Sequence, residues 1–251
     1  ALDIAFFDAI GFGTVVDSLS AIKTLVFEQK RLSMKELLEA LDCNFEGKED
    51  IQALLQGAPS FGNGDLEVDT LGRMLEKSAL DFTARYAGKN GVQPLEIRTT
   101  SVTANVPHGK FVGATPNGRK AWMPLSDGSS PSHGSDRNGP TAVLLSQYQS
   151  TNWNAANRAC RLLNMKMAPK TVEGEEGTKK LVDLIRAFIN LRVWHLQMNI
   201  INRETLVAAQ KDPQKYKNLV VRIAGYSAYF VDLSPDLQND LIDRTEQENC
   251  D

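Results

Sequence analysis

Val221-Arg222-Ile223-Ala224-Gly225-Tyr226-Ser227-Ala228-Tyr229-Phe230 reads as two short apolar segments pinched at a single glycine. Glycine accepts backbone angles that residues with a Cβ avoid, so spacing alone predicts a hairpin turn at Gly225. Upstream stand Trp194-His195-Leu196-Gln197-Met198-Asn199, Arg203-Glu204-Thr205-Leu206 and Pro213-Gln214-Lys215-Tyr216. Downstream come Val231-Asp232-Leu233-Ser234-Pro235 and Arg244-Thr245-Glu246.

This long, ordered C-terminal run resembles the glycyl radical enzymes, whose signature is an Arg-Val-x-Gly-Tyr-type loop near the C-terminus. Here the loop reads Arg222-Ile223-Ala224-Gly225-Tyr226. The resemblance implies that Gly225 stores a radical, and the chemistry explains why glycine serves. Its α carbon bears no side chain, so loss of one hydrogen leaves a planar centre flanked by an amide nitrogen and a carbonyl, which both delocalise the electron. The resemblance also implies a separate iron–sulfur activase that uses S-adenosylmethionine to remove that hydrogen. No cofactor is then expected on this chain itself.

The chain has 251 residues, enough to bury a real core. A net charge of -3 without a basic stripe argues against a nucleic-acid partner. No apolar run is long enough to predict a membrane span. The start, Ala1-Leu2-Asp3-Ile4-Ala5-Phe6-Phe7-Asp8, lacks the basic opening and cleavage pattern of a signal peptide. Cys43, Cys160 and Cys250 show neither metal-ligand spacing nor a disulfide framework, so a reducing cytoplasm is expected.

Along the chain, Leu19, Ile22, Leu25 and Val26 recur at helical spacing, with Asp17 or Ser18 as the expected cap. Ser33-Met34-Lys35-Glu36 has the capping-box pattern ahead of Leu37, Leu38 and Leu41. Turn residues at 57–65 introduce a helix through Tyr86, which Gly88, Asn90, Gly91 and Pro94 break. Alternation predicts a strand from Ile97 to Val106. Residues 152–167 and 177–190 read as helices, with Cys160 in the first. Trp194–Ile201 reads as a buried strand, Glu204–Gln210 as a helix, Leu219–Arg222 as a strand and Pro235–Arg244 as a closing helix.

Strands alternating with helices predict an α/β fold with parallel pairing. The resemblance sharpens this to the C-terminal part of a ten-stranded α/β barrel with outer helices and a central glycyl loop. Residues 1–96 are then a mainly helical outer scaffold, and 97–251 hold barrel strands, inner-wall loops and the glycyl radical domain. The segment Gly113-Ala114-Thr115-Pro116-Asn117-Gly118-Arg119-Lys120 matches no phosphate-binding fingerprint. Together with Pro124-Leu125-Ser126-Asp127-Gly128, residues 129–139 and Pro140-Thr141-Ala142-Val143, it resembles a long loop region of the family, which implies an inner-wall loop where Arg119 and Asp127 are structural and His133 is a structural or supporting histidine.

The family's chemistry also needs a cysteine on a second, more N-terminal loop of Gly-Cys-x-Glu type, and none of the three cysteines matches it. The expectation is a chain inactive alone, completed by a Cys-loop-bearing N-terminal polypeptide of the same enzyme, activated by the radical activase and homo-oligomeric once assembled. A non-catalytic repair module carrying little beyond the glycyl loop is the second reading; the extensive barrel sequence favours the enzyme portion. A sugar or nucleotide binder rests on the Gly-rich loop alone.

Gly225-Tyr226-Ser227-Ala228-Tyr229-Phe230 resembles the lyase and dehydratase branch, and Asn138-Gly139-Pro140-Thr141-Ala142 its sulfonate-cleaving members. The expected reaction is C–S cleavage of a small hydroxyalkylsulfonate. Dehydration of a diol and choline-type C–N cleavage are the alternatives. Arg98 and Thr100 precede the segment where the family builds its pocket wall, and a planar guanidinium suits a multi-oxygen anion. Both are expected substrate contacts; pairing of Arg98 with Glu96 or another carboxylate is the structural alternative.

Overall fold

The computed structural model describes residues 5–86, 95–155 and 157–248. β1 (Ala5–Asp8) leads to Gly11, whose left-handed backbone admits the chain to α1 (Phe12–Ala21). The helix therefore starts ahead of the expected cap, and Asp17 and Ser18 lie inside it. Asp17 is not free to cap its own helix because it is buried, where its Oδ1 accepts the Phe61 N–H at 2.7 Å. A π-helical stretch, Ile22–Glu28, continues α1.

α2 (Met34–Asp42) begins at the predicted capping box: Ser33 Oγ accepts the Glu36 N–H at 3.2 Å and Glu36 Oε2 accepts the Ser33 N–H at 2.8 Å. α3 (Glu49–Gln56) and α4 (Leu66–Tyr86) follow. Ala21, Leu25, Leu37, Phe45 and Leu55 share one apolar core, and Phe12, Val16, Phe61 and Val68 a second where α1 meets α4. The helix break expected at Gly88, Asn90, Gly91 and Pro94 lies outside the described residues.

β2 (Leu95–Thr99) is shorter than the alternation predicted, because Val106 belongs to α5 (Asn105–Gly109). Buried Asn105 decides this: its Nδ2 donates to Asp240 Oδ1 at 2.9 Å and to Leu125 O at 3.3 Å, pinning a turn where a strand would run on. α6 (Gly139–Gln149) comes next, so the loop expected through Val143 ends at Asn138; Pro140 sits in the first turn, where its missing N–H costs nothing. The helix expected over 152–167 is instead two strands, β3 (Arg158–Arg161) and β4 (Asn164–Met167), and Cys160 lies half-buried on β3. All four residues of β4 are buried, so the segment lacks the alternation that marks a half-exposed strand.

α7 (Gly174–Asn190), β5 (Gln197–Ile200) and α8 (Arg203–Lys211) lead to β6 (Val220–Arg222) and β7 (Ser227–Tyr229), then α9 (Pro235–Asp243) and β8 (Glu246–Gln247). The order β1-β2-β3 makes one parallel sheet and β5-β4-β8 another. Only Leu162 and Leu163 separate β3 from β4, so one extended run belongs to both sheets. Parallel strands linked through helices give the α/β class expected. Among the described residues no helix is long and apolar enough to cross a membrane.

Candidate functional site

Gly225 sits at the tip of the β6–β7 hairpin, where Val220 pairs Tyr229, Val221 pairs Ala228 and Arg222 pairs Ser227. The Ile223 N–H closes the turn on Tyr226 O at 2.9 Å. Gly225 takes φ +82°, the left-handed value that glycine supplies at such a turn. A Cβ built on it would meet no atom within 4 Å. Conformation therefore calls for glycine here, and crowding does not.

The hairpin has an apolar side and a polar side. Val221, Ile223 and Phe230 are buried with Leu206 and Ala209 of α8 and Leu241 and Ile242 of α9. On the other side β5 reaches it with side chains. Asn199 Nδ2 donates to Arg222 O at 2.6 Å, and the Arg222 N–H returns to Asn199 Oδ1 at 2.8 Å. The Gly225 N–H donates to Gln197 Oε1 at 2.8 Å. Gln197 Nε2 donates to Asn164 Oδ1 at 2.8 Å, and Asn164 Nδ2 to Asp127 Oδ2 at 2.5 Å. Asn164 and Gln197 are register partners on β4 and β5, which puts their side chains on one face.

Behind Asp127 lies buried charge. Arg244 Nη2 is 3.8 Å from Asp127 Oδ2 and 2.9 Å from Asp240 Oδ2. Burial alone would lower the Arg244 pKa; Asp127 and Asp240 hold it above its usual value. His133 Nε2 approaches Asp240 Oδ1 at 3.5 Å. Lys166, one step along the face from Asn164, donates to Ile242 O at 2.9 Å; burial brings its pKa down to about 8.

Arg98 and Thr100 are brought together at a second place. Arg98 pairs with Asp8, its register partner on β1, through Nε to Oδ1 at 2.7 Å and Nη2 to Oδ2 at 2.9 Å. Thr100 Oγ1 donates to Asp8 Oδ1 at 2.6 Å, and the Arg98 guanidinium lies 3.3 Å over the Phe6 ring. Burial raises the Asp8 pKa, but the bonds from Arg98 and Thr100 and the Arg98 charge outweigh it and hold the carboxyl below its ordinary value. The bonded neighbours of Arg98 and those of Gly225 have no member in common.

Arg119 is structural: it donates to the carbonyls of Val112, Gly113, Lys120 and Met123 and so folds its own loop. That loop borders a cleft of about 500 Å³ lined by Asp17, Gln52, Gln56, Lys120, His133 and Arg137 among others, which includes neither Gly225 nor Arg98. Cys43 caps α2, with Sγ 3.4 Å from Ala40 O, and Cys250 lies outside the described residues. Gln197 and Asn199 carry no signal in the sequence beyond their spacing of two on a strand, which sets both on one face.

The glycine radical family matches residues 125–231, and the pyruvate formate lyase-like family matches residues 2–109. Isethionate sulfite-lyase of Oleidesulfovibrio alaskensis is 58% identical over 98% of this chain and 30% of its own length. Isethionate sulfite-lyase of Nitratidesulfovibrio vulgaris is 59% identical over 97% of this chain and 29% of its own. The crystal structure of hydroxyproline dehydratase from Clostridioides difficile superposes with a TM-score of 0.90 at 38% identity, over 98% of this chain and 31% of that one. The chain thus spans about 30% of the length of the curated relatives it matches.

Proposed function

The chain belongs to the glycyl radical enzymes, and from that premise we propose that it is the radical-storing portion of a lyase that cleaves the C–S bond of a small hydroxyalkylsulfonate and releases sulfite. The observation that carries this reading is the 58% identity to isethionate sulfite-lyase, sustained over 98% of the chain. The likeness to relatives named as dehydratases is weaker, at 43% and 40%.

In this reading Gly225 holds the unpaired electron, installed by a radical activase that uses S-adenosylmethionine. Gly225 is exposed on this chain, and Val220, Tyr226 and Tyr229 beside it leave apolar surface in water. Such surface suits a covering segment, here the Cys-loop-bearing portion of the same enzyme. The cysteine thiol gives a hydrogen atom to the Gly225 α carbon, and the thiyl so formed takes one from the substrate carbon bearing the hydroxyl. The C–S bond breaks, and sulfite leaves together with the hydroxyl proton as that carbon becomes a carbonyl. The thiol then returns hydrogen to the carbon that lost sulfur, so the sequence consumes no oxidant or reductant. Oxygen would add to such a glycyl centre and cut the backbone there, so the reading places the protein in an anaerobic cytoplasm.

Arg98 contacts the sulfonate in this reading, and Thr100, whose hydroxyl hydrogen goes to Asp8, presents its oxygen to the substrate hydroxyl. Asp8 occupies the Nε and Nη2 of Arg98 and holds the guanidinium in plane, and Nη1 is the edge from which Arg98 would donate to a sulfonate oxygen. The test is an anaerobic electron paramagnetic resonance spectrum of this chain assembled with its Cys-loop portion, taken after activase treatment, with sulfite release followed in parallel. A doublet that vanishes in Gly225→Ala, with sulfite formed from a hydroxyalkylsulfonate, is the expected result. A doublet accompanied by turnover of diols alone would move the substrate to the dehydratase class, and no doublet would remove the reading.

A further inference from the structure

β5 holds the Gly225 hairpin with side chains. Asn199 brackets Arg222, and Gln197 takes the Gly225 N–H. The direction of the Gln197 amide follows from its neighbours. Asp127 is a carboxylate, able only to accept, so Asn164 must turn its NH₂ toward it. Asn164 then offers Oδ1 to Gln197, which must donate Nε2 and present Oε1 to Gly225. Each bond permits only the next in that order, and all three side chains are buried.

We infer that Gln197 is a positioning residue for the Gly225 centre, its amide aimed by Asn164 and Asp127 so that Oε1 holds the Gly225 N–H; this rests on the reading of Gly225 as the radical site. Two consequences follow for a radical on the α carbon. The bond anchors the Ala224–Gly225 peptide plane, which at φ +82° stands nearly perpendicular to the N–Cα–C plane, so flattening of the radical must turn the Cα–C side toward a held nitrogen lone pair. Accepting from the N–H also leaves more electron density on that nitrogen, which is the donor half of the pair delocalising the electron. Chained hydrogen bonds polarise one another, so a carboxylate at the far end strengthens the effect.

The experiment uses the activated assembly of this chain with its Cys-loop portion, grown with ¹⁵N-glycine. Gln197→Met fills the same volume with a thioether, a far weaker acceptor than the amide oxygen; Gln197→Ala removes the side chain; and Gln197→Glu, in its protonated form, keeps an acceptor oxygen for Gly225 and a donor for Asn164. In Gln197→Met and Gln197→Ala the doublet forms, the nitrogen hyperfine coupling shifts from its wild-type value, and the anaerobic decay of the signal quickens about fivefold. Gln197→Glu brings both back toward wild type. If Gln197→Met or Gln197→Ala folds and keeps the wild-type coupling, the inference is overturned, even where decay is faster, since general loosening gives faster decay alone. That outcome leaves Gly225 as the radical site, whereas a wild-type assembly with no doublet removes the reading beneath it.

Discussion

Gly225 and Gly47 are held alike in most respects. Both are left-handed, at φ +82° and +69°, and neither would bring a Cβ within 4 Å of another atom. Each is exposed and donates its N–H to a side-chain oxygen, Gln197 Oε1 at 2.8 Å and Glu49 Oε1 at 3.1 Å. What stands behind the acceptor differs. Glu49 is an exposed residue two positions on, the first of α3, so Gly47 is held by local chain geometry. Gln197 is buried, lies on another strand and is aimed by a second amide and a carboxylate. A turn needs only the first arrangement. The second fixes one peptide plane from outside the loop, which suits a backbone atom with chemistry to perform.

The largest effect is expected at Gly225. Gly225→Ala should abolish the activated doublet while lowering stability by only about 1 kcal/mol, the cost of a Cβ in the left-handed region. Resonance spectra and denaturant unfolding of the same preparation check the two halves together. A surviving doublet would erase the distinction from Gly47.

Gly128 tests the opposite case. Its φ is +50°, and a Cβ there would lie 2.3 Å from the Leu162 carbonyl oxygen, which also accepts the Ser129 N–H at 2.8 Å and Ser129 Oγ at 3.0 Å. Backbone held that way cannot move aside cheaply. Gly128→Ala should therefore cost about 3 kcal/mol of stability in denaturant unfolding. A loss no larger than that of Gly225→Ala would mean that open space around a glycine says nothing about why it is there.

The two regions also differ in pH response. The hairpin is held by Gln197, Asn199 and Asn164, which do not titrate. The cleft beside the Gly-rich loop is lined in part by buried Asp17, whose pKa is raised from 3.8 to about 7 by burial and by the Asp136 charge, against the bonds from Ser132 and Phe61. Between those values the folded state keeps a proton that the unfolded chain has released. Stability from this group is therefore lost as pH rises from about 4 to 7 and is flat above. Asp17→Asn should flatten that decline, by on the order of 4 kcal/mol across the interval in thermal unfolding at several pH values.

How much of this was legible in the sequence depends on how local each cause is. The capping box at Ser33 and Glu36 is complete within four residues, and the structure has it as read. The turn at Gly225 is equally local. The strand pair over Arg158–Met167 was not legible, because β4 is buried on all sides and carries Asn164 and Lys166 inward to partners on other elements. The start of α1 was misplaced for the same kind of reason: Asp17 looks like a cap, yet serves Phe61, 44 positions away. Arg98 drew notice as a possible anion contact, but its partner Asp8 lies 90 residues upstream and becomes evident only when β1 and β2 pair. Gln197 acquires its meaning only from the register that sets it beside Asn164.

The smallest expected effect is at Gly47, and it gives the comparison its baseline. Gly47→Ala introduces the same methyl group into the same backbone region with the same open space, on a turn between α2 and α3. Its cost should be about 1 kcal/mol, equal within error to that of Gly225→Ala. The doublet, its nitrogen coupling and sulfite release should all match wild type. Subtracting one variant from the other removes the conformational penalty that glycine turns share, and what is left belongs to the chemistry of the Gly225 α carbon. Were Gly47→Ala to weaken the doublet as well, the loss at Gly225 could be ascribed to strain, and the hairpin would be a turn like any other.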